Sequence, residues 1–142
     1  MEEIYQVFDY LSNNGCICDF HLIGVPEDKR IAKKGLSYED YISYDQNLQI
    51  ILSSNCLLEI IQHNSSGNTL RTNEAVIFNK KLLSNNAYLR DSSVWTPQNM
   101  RIFSNSCEID IDFIKNKSNV HYSNKELLYP QKFLNQVTRW LK

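Results

Sequence analysis

The chain has 142 residues, of which 42% are hydrophobic and 22% charged, so composition excludes a disordered protein and fits a single globular domain over residues 1–142. A formal net charge of −1 argues against a protein whose main task is to bind nucleic acid, because such proteins carry a basic excess. The amino-terminal stretch lacks the basic and apolar regions of a signal peptide, and no apolar run approaches the roughly 20 residues of a membrane span. We therefore expect a cytoplasmic protein without direct nucleic-acid or membrane partners.

Four cysteines lie in apolar stretches that look like strands: Cys16, Cys18, Cys56 and Cys107. This pattern favours reduced thiols packed in a core over a disulfide framework. A metal cluster of Cys16, Cys18 and His21 is the alternative, although strand geometry puts His21 on the opposite face from both thiols. No cofactor is expected.

Helical spacing of apolar residues predicts an amphipathic helix over residues 2–13, ended by Asn14 and Gly15. Residues 16–25 are rich in β-branched and aromatic side chains and predict a strand that stops at Pro26. The apolar pattern then thins, which predicts a long exposed connection over residues 26–47.

Two apolar runs follow, residues 48–52 and 56–63, separated by a polar triplet of Ser53, Ser54 and Asn55. A helix through the triplet would bury it, so the pattern predicts an antiparallel hairpin. Further strands are predicted around 75–79, at 100–103 and at 107–114.

Tyr129-Pro130 opens the last predicted element, a helix with proline at its first position. Its apolar face comprises Phe133, Leu134, Val137, Trp140 and Leu141. A helix, a run of strands and a second helix together predict the α+β class, with both amphipathic helices packed on a mainly antiparallel sheet of about five or six strands.

The most regular alternation lies in residues 107–114, CEIDIDFI. It predicts a strand with Cys107, Ile109, Ile111 and Phe113 in the core and the carboxylates on the solvent side. Those carboxylates are Glu108, Asp110 and Asp112. Such a row could be a solvated face, a partner-binding face or, through Asp110 and Asp112, a divalent-metal site.

Sequence motifs of catalysis are missing from the chain. It has four isolated glycines and neither a phosphate-binding glycine loop nor a serine-hydrolase signature. We therefore expect a binding protein rather than an enzyme. The alternative is a divalent-metal-dependent hydrolase, similar to a nuclease, centred on Asp110 and Asp112.

A second acidic segment, YEDYISYD, combines aromatic and negative side chains: Tyr38, Glu39, Asp40, Tyr41, Tyr44 and Asp45. Tyrosine is enriched at protein interfaces because it supplies a large contact area at low entropy cost. If this segment and the row of Glu108, Asp110 and Asp112 share one side, the resulting surface would attract a basic partner.

In overall character the chain resembles the small immunity proteins of bacterial toxin systems, including those of contact-dependent inhibition. The features that carry the resemblance are its compactness, its abundant asparagine and lysine, and its acidic, tyrosine-bearing segments. The resemblance implies tight binding of a basic cognate toxin domain, with inhibition by covering the toxin's active or substrate-binding site.

Overall fold

The computed structural model describes residues 1–62 and 67–128. In chain order the elements are α1 (Glu2–Asn13), β1 (Phe20–Ile23), β2 (Leu36–Glu39), α2 (Tyr44–Ser53), β3 (Cys56–Glu59), α3 (Leu70–Ile77), β4 (Lys81–Ser84), β5 (Met100–Ile102) and α4 (Ile111–Lys115). Short 3₁₀ turns connect several of them. The molecule therefore belongs to the α+β class.

The strands form two small parallel sheets, one with the order β1-β2 and one with the order β3-β4-β5. The prediction of one mainly antiparallel sheet of five or six strands is wrong. Parallel neighbours need a crossover between them, and the β3-α3-β4 segment supplies one. The apolar runs that suggested hairpins are partly helices.

Both ends of the chain were predicted to be helical. The amino-terminal helix is confirmed, since α1 spans Glu2–Asn13 and buries Val7, Phe8 and Leu11. The predicted carboxy-terminal helix lies outside the described residues. Within residues 1–62 and 67–128, no helix is both long enough and apolar enough to cross a membrane.

Helix α2 replaces the first strand of the predicted hairpin. Its start is fixed by a capping box, in which the Ser43 hydroxyl accepts from the Gln46 amide and the Gln46 side chain accepts from the Ser43 amide. The polar triplet therefore forms the end of the helix and the residues that follow it, and not a hairpin turn. The second predicted strand is confirmed in a shorter form as β3.

Helix α3 replaces the strand predicted around residues 75–79. Thr69 caps it by accepting from the Thr72 amide. Helix α3 buries Thr72, Glu74, Ala75 and Val76, and among them Ala75 and Val76 follow Thr72 by three and four residues, which is the period of a helix face. The helical period was hard to recognise in the sequence because Thr72, a polar residue, is fully buried.

Residues 107–114 do not form the predicted strand. A 3₁₀ turn at Ser106–Glu108 leads into α4, and the Asp110 side chain caps α4 through the Phe113 amide, 2.9 Å away. Ile109 and Phe113 are buried, four residues apart, whereas Cys107 is exposed. Ile109 lies before α4 and Phe113 within it, so the alternating residues do not share one strand face, and the prediction that Cys107 lies in the core is wrong.

Strand β4 occupies the centre of the larger sheet, and all four of its residues are buried. Leu82 packs with Ile51, Val76 and Met100, while its neighbour Leu83 packs with a different cluster around α1. Adjacent strand residues face opposite sides of a sheet, so β4 contributes to both hydrophobic clusters.

At the amino end of β4 a lysine is buried. The Lys81 ammonium donates to the carbonyl of Phe113, 2.6 Å away, and to the carbonyl of Asn116. A buried cation requires such hydrogen-bond acceptors to offset its lost hydration. Lys81 thereby ties the carboxy-terminal end of α4 to the central strand.

Shortening Leu82 tests the role of β4. Leu82 is fully buried, so Leu82→Ala should lower the free energy of unfolding by about 2 to 5 kcal/mol, through lost burial and a residual cavity. Leu70, which is 74% exposed at the start of α3, provides the matched control. Leu70→Ala should change stability by less than about 0.5 kcal/mol in the same urea titration. Equal effects of the two substitutions would contradict this description of the core.

Candidate ligand groove

A groove of about 600 Å³ lies between the two sheets. All four residues of β1 line it, as do Cys56, Leu57 and Leu58 of β3. Its walls are mainly apolar, and its volume falls within the range of small-molecule sites. One strand of each sheet, β1 of the smaller and β3 of the larger, therefore lines the groove.

The beginnings of two helices supply polar groups to this groove. Ser43, Tyr44 and Asn47 come from the cap and first turn of α2, and Arg71 comes from the first turn of α3. Helix amino termini carry unsatisfied amide groups and a partial positive charge. The groove thus combines apolar walls with a region suited to an anionic group.

A short chain of hydrogen bonds joins α2 to α3 beside the groove. The Arg71 guanidinium lies 3.0 Å from the Glu74 carboxylate, which also accepts from the Asn47 amide group at 2.9 Å. Glu74 is buried, whereas about a third of the Arg71 side chain is exposed. Glu74 therefore holds the guanidinium of an arginine whose side chain is partly exposed.

His21, on β1, lies between two carboxylates on the groove wall. Its Nδ1 is 2.6 Å from a Glu39 oxygen and its Nε2 is 3.1 Å from an Asp19 oxygen. Only the imidazolium form can donate from both nitrogens. Partial burial of the ring opposes that charge, but the hydrogen bonds with Glu39 and Asp19 outweigh it and raise the pKa of His21 above 6.5.

A buried carboxylate, Glu59, lies at the end of β3 beside the first turn of α3. It accepts hydrogen bonds from the hydroxyls of Thr69, Thr72 and Ser84. Glu59 and Ser84 are register partners on β3 and β4. This hydroxyl cluster lies at the carboxyl ends of two parallel strands, and Arg71 lies about 100° around α3 from Thr72.

The predicted row of carboxylates is not a row in the structure. Glu108 accepts from the Ser104 amide and the Asn105 side chain, and these hydrogen bonds lower its pKa. The Phe113 amide and then Arg101 lower the pKa of Asp110. Asp112 lies in the first turn of α4. Two of the three carboxylates therefore have local structural roles, and their binding to a partner stays a prediction.

The residues of the segment YEDYISYD lie in two different environments. Tyr38 lies on β2 with its hydroxyl bonded to the backbone of Ile31, and Glu39 holds His21. Tyr41 and Tyr44 are 74% and 69% exposed, and Asp40 and Asp45 are exposed beside them. The outer part of this segment thus presents aromatic and acidic groups to solvent, as an interface would.

The two acidic segments contact α1 from different directions. Tyr38 lies 3.1 Å from the hydroxyl of Tyr5, whereas the backbone of Cys107 accepts from Tyr10. Five residues on a helix correspond to a rotation of about 140°. The structure therefore gives no support to a single surface made of both segments.

The predicted metal alternatives also have no geometric support. Among residues 1–62 and 67–128, no group of three or more histidine, cysteine or acidic side chains is placed to hold a metal ion. Asp110 and Asp112 are not neighbours on one strand face, because Asp110 is a helix cap. Burial raises the pKa of Cys18 to about 11 and that of Cys56 to about 12, which keeps both thiols protonated at neutral pH.

Arg71 and Glu59 were not predicted as site residues, and His21 was considered only as a metal ligand with Cys16 and Cys18. One local signal existed for α3, since Gly67 and Asn68 precede a threonine cap and a helical spacing of buried residues. No local signal brings β1 beside β3. Comparison with protein-family models, curated proteins and solved structures found no match to this chain.

The charged His21 makes stability depend on pH. Because its pKa is raised in the folded protein, its contribution is complete below about pH 6.5 and is lost as pH rises through the folded pKa. The stability difference between wild type and His21→Gln should shrink from about pH 5.5 to about pH 8.5 in urea titrations.

The exposed His121 provides a control for this titration. His121→Gln should keep the pH dependence of the wild type. A difference between wild type and His21→Gln that stays constant over the whole range would contradict the charged histidine.

Proposed function

We propose that this chain binds a phosphorylated small molecule of the nucleotide class in the groove between β1 and β3. One observation carries the proposal: the apolar groove lies where the two parallel sheets adjoin, and the first turns of α2 and α3 both line it. The apolar walls suit a planar base, and the helix termini with Arg71 suit phosphate groups.

The lining residues support this location. All of β1 and three residues of β3 line the groove, together with the first turns of α2 and α3. In α/β folds the helix that follows a parallel strand begins near that strand's carboxyl end, where ligands commonly bind.

The charges in the groove favour a ligand that is anionic at one end only. About a third of the Arg71 side chain is exposed, and its guanidinium is paired with Glu74. The exposed Tyr44 ring, at the first position of α2, is available to stack on a base. A nucleoside diphosphate has both parts, a planar apolar base and a strongly charged tail.

Titration calorimetry of the full chain with ADP, GDP and UDP tests the proposal. At least one of them should bind saturably, and the matching nucleoside should bind at least about tenfold more weakly, because it lacks the phosphates. Arg71→Gln should weaken diphosphate binding by about 10- to 150-fold, the equivalent of about 1.5 to 3 kcal/mol for a charge-assisted hydrogen bond.

Arg90→Gln serves as the control, because Arg90 is an exposed arginine that does not line the groove. This variant should bind as the wild type does. If none of the three diphosphates binds to the wild type, the proposal is wrong. Equal losses in Arg71→Gln and Arg90→Gln would leave binding real but place it elsewhere.

A second candidate function is neutralisation of a basic toxin domain in the cytoplasm. The observation that favours it is the exposure of Tyr41 and Tyr44 beside Asp40 and Asp45. Exposed aromatic side chains with nearby charges are typical of binding surfaces. Four free cysteines are consistent with a reducing compartment.

Tyr41→Ala separates this function from ligand binding, because Tyr41 does not line the groove whereas Tyr44 does. Its affinity for a toxin domain encoded by a neighbouring reading frame should fall at least about tenfold, as for an interface residue that carries binding energy. Tyr88→Ala, which removes another exposed tyrosine, is the control. Unchanged affinity in Tyr41→Ala would exclude this surface as the toxin contact.

A further inference from the structure

Glu59 is a buried carboxylate without a cationic partner. Its side chain belongs to a residue that is 5% exposed, and no lysine, arginine or histidine among the described residues forms an ion pair with it. Burying a charge without compensation is costly. Here three hydroxyl groups compensate it, which raises the question of what their arrangement achieves.

The two oxygens of Glu59 serve different elements. Oε1 accepts from Thr69 and from Thr72, the latter at 2.9 Å, and both residues belong to the start of α3. Oε2 accepts from Ser84 at the end of β4. One carboxylate therefore joins the first turn of α3 to the carboxyl ends of β3 and β4.

The hydroxyl oxygens have partners besides Glu59. The Thr69 oxygen accepts from the Thr72 amide, and the Ser84 oxygen accepts from the Asn86 amide at 3.0 Å. The Thr69 and Thr72 oxygens are also 3.5 Å apart, but both make a shorter contact with Glu59. A side chain at position 59 that accepts on both oxygens therefore satisfies all three hydroxyls.

Thr69 and Thr72 are three residues apart and share one face of the first turn of α3. Arg71 lies about 100° around the helix from Thr72, and it lines the groove. Drawing both threonines onto Glu59 fixes the rotation of this turn, and the rotation sets the direction in which Arg71 leaves the helix.

We propose that Glu59 is a positioning residue for the groove: it does not touch the ligand, but it orients the first turn of α3 so that Arg71 reaches the ligand's anionic group. The effect on binding rests on the proposed nucleotide function. The effect on Arg71 itself does not, so the two can be tested separately.

Glu59→Gln is the first variant, because glutamine keeps the size of the side chain but only one accepting oxygen. In ¹⁵N NMR spectra of the unliganded full chain, the Thr72 amide should exchange at least about tenfold faster, because the Thr69 hydroxyl that caps it is no longer held by a carboxylate. The Arg71 Nε–H signal should also become more mobile. Ser84→Ala, which removes only the bond to Oε2, should leave both signals close to those of the wild type.

Thr72→Val is the second variant, and it keeps the inference testable if Glu59→Gln does not fold. It removes one of the two α3 contacts and leaves the carboxylate bonded to Thr69 and Ser84. The Arg71 signal should again become more mobile. Arg71 signals unchanged from wild type in whichever of the two variants folds would overturn the positioning role, whether or not any ligand binds.

ADP titrations of a double-mutant cycle provide the binding readout. Glu59→Gln should weaken ADP binding at least about tenfold in the wild type and by less than about twofold in the Arg71→Gln background, since it acts through Arg71. Equal losses in both backgrounds would overturn the proposal. If no nucleotide binds to the wild type, the proposed function fails, and the NMR signals of Arg71 alone decide the role of Glu59.

Discussion

Burial of β4 on both faces is the constraint on which the rest of the structure depends. Leu82 and Leu83 face opposite sides, so α3 covers one hydrophobic cluster and α1 belongs to the other. The strand is also polar at both ends, and a polar group inside a core must find partners. Lys81 finds them in the carbonyls that end α4, and Ser84 finds one in Glu59. The packing of the centre therefore dictates where α4 and the first turn of α3 lie.

The candidate site follows from this arrangement, because the same helix turn has two chemically different sides. One side is closed and saturated, with threonine hydroxyls bonded to a buried carboxylate. The other is open, with a guanidinium held by Glu74 at the edge of an apolar groove. A cation fixed by a neighbouring carboxylate loses less entropy when it binds an anion than a free side chain would. The hydrogen bonds of the threonines and the ion pair of Arg71 with Glu74 thus both restrict this turn.

An element could be predicted from the sequence where interactions between residues close together in the chain determine it. Helix α1 was predictable because its apolar residues alone define its buried face, and the strand ending near Pro26 had a local stop. The capping box at Ser43 was also local, but the apolar run after it favoured a strand. Residues 107–114 misled because alternation suits a strand, while the capping bond of Asp110 and the contacts of Phe113 turned the chain into a helix. The groove and its arginine could not be predicted, because they depend on β1 and β3, which belong to different sheets, lining the same groove.

The parallel pairing of all three described strand pairs has a consequence for how the chain is made. No two paired strands are joined by a tight turn, so each pairing requires a whole connecting segment to be synthesised first. Within the larger sheet the spatial order β3-β4-β5 is also the order of synthesis. Each new strand can therefore add to the edge left by the previous one as the chain leaves the ribosome. A chain that lacks Met100–Ile102 would leave one edge of the buried central strand uncovered.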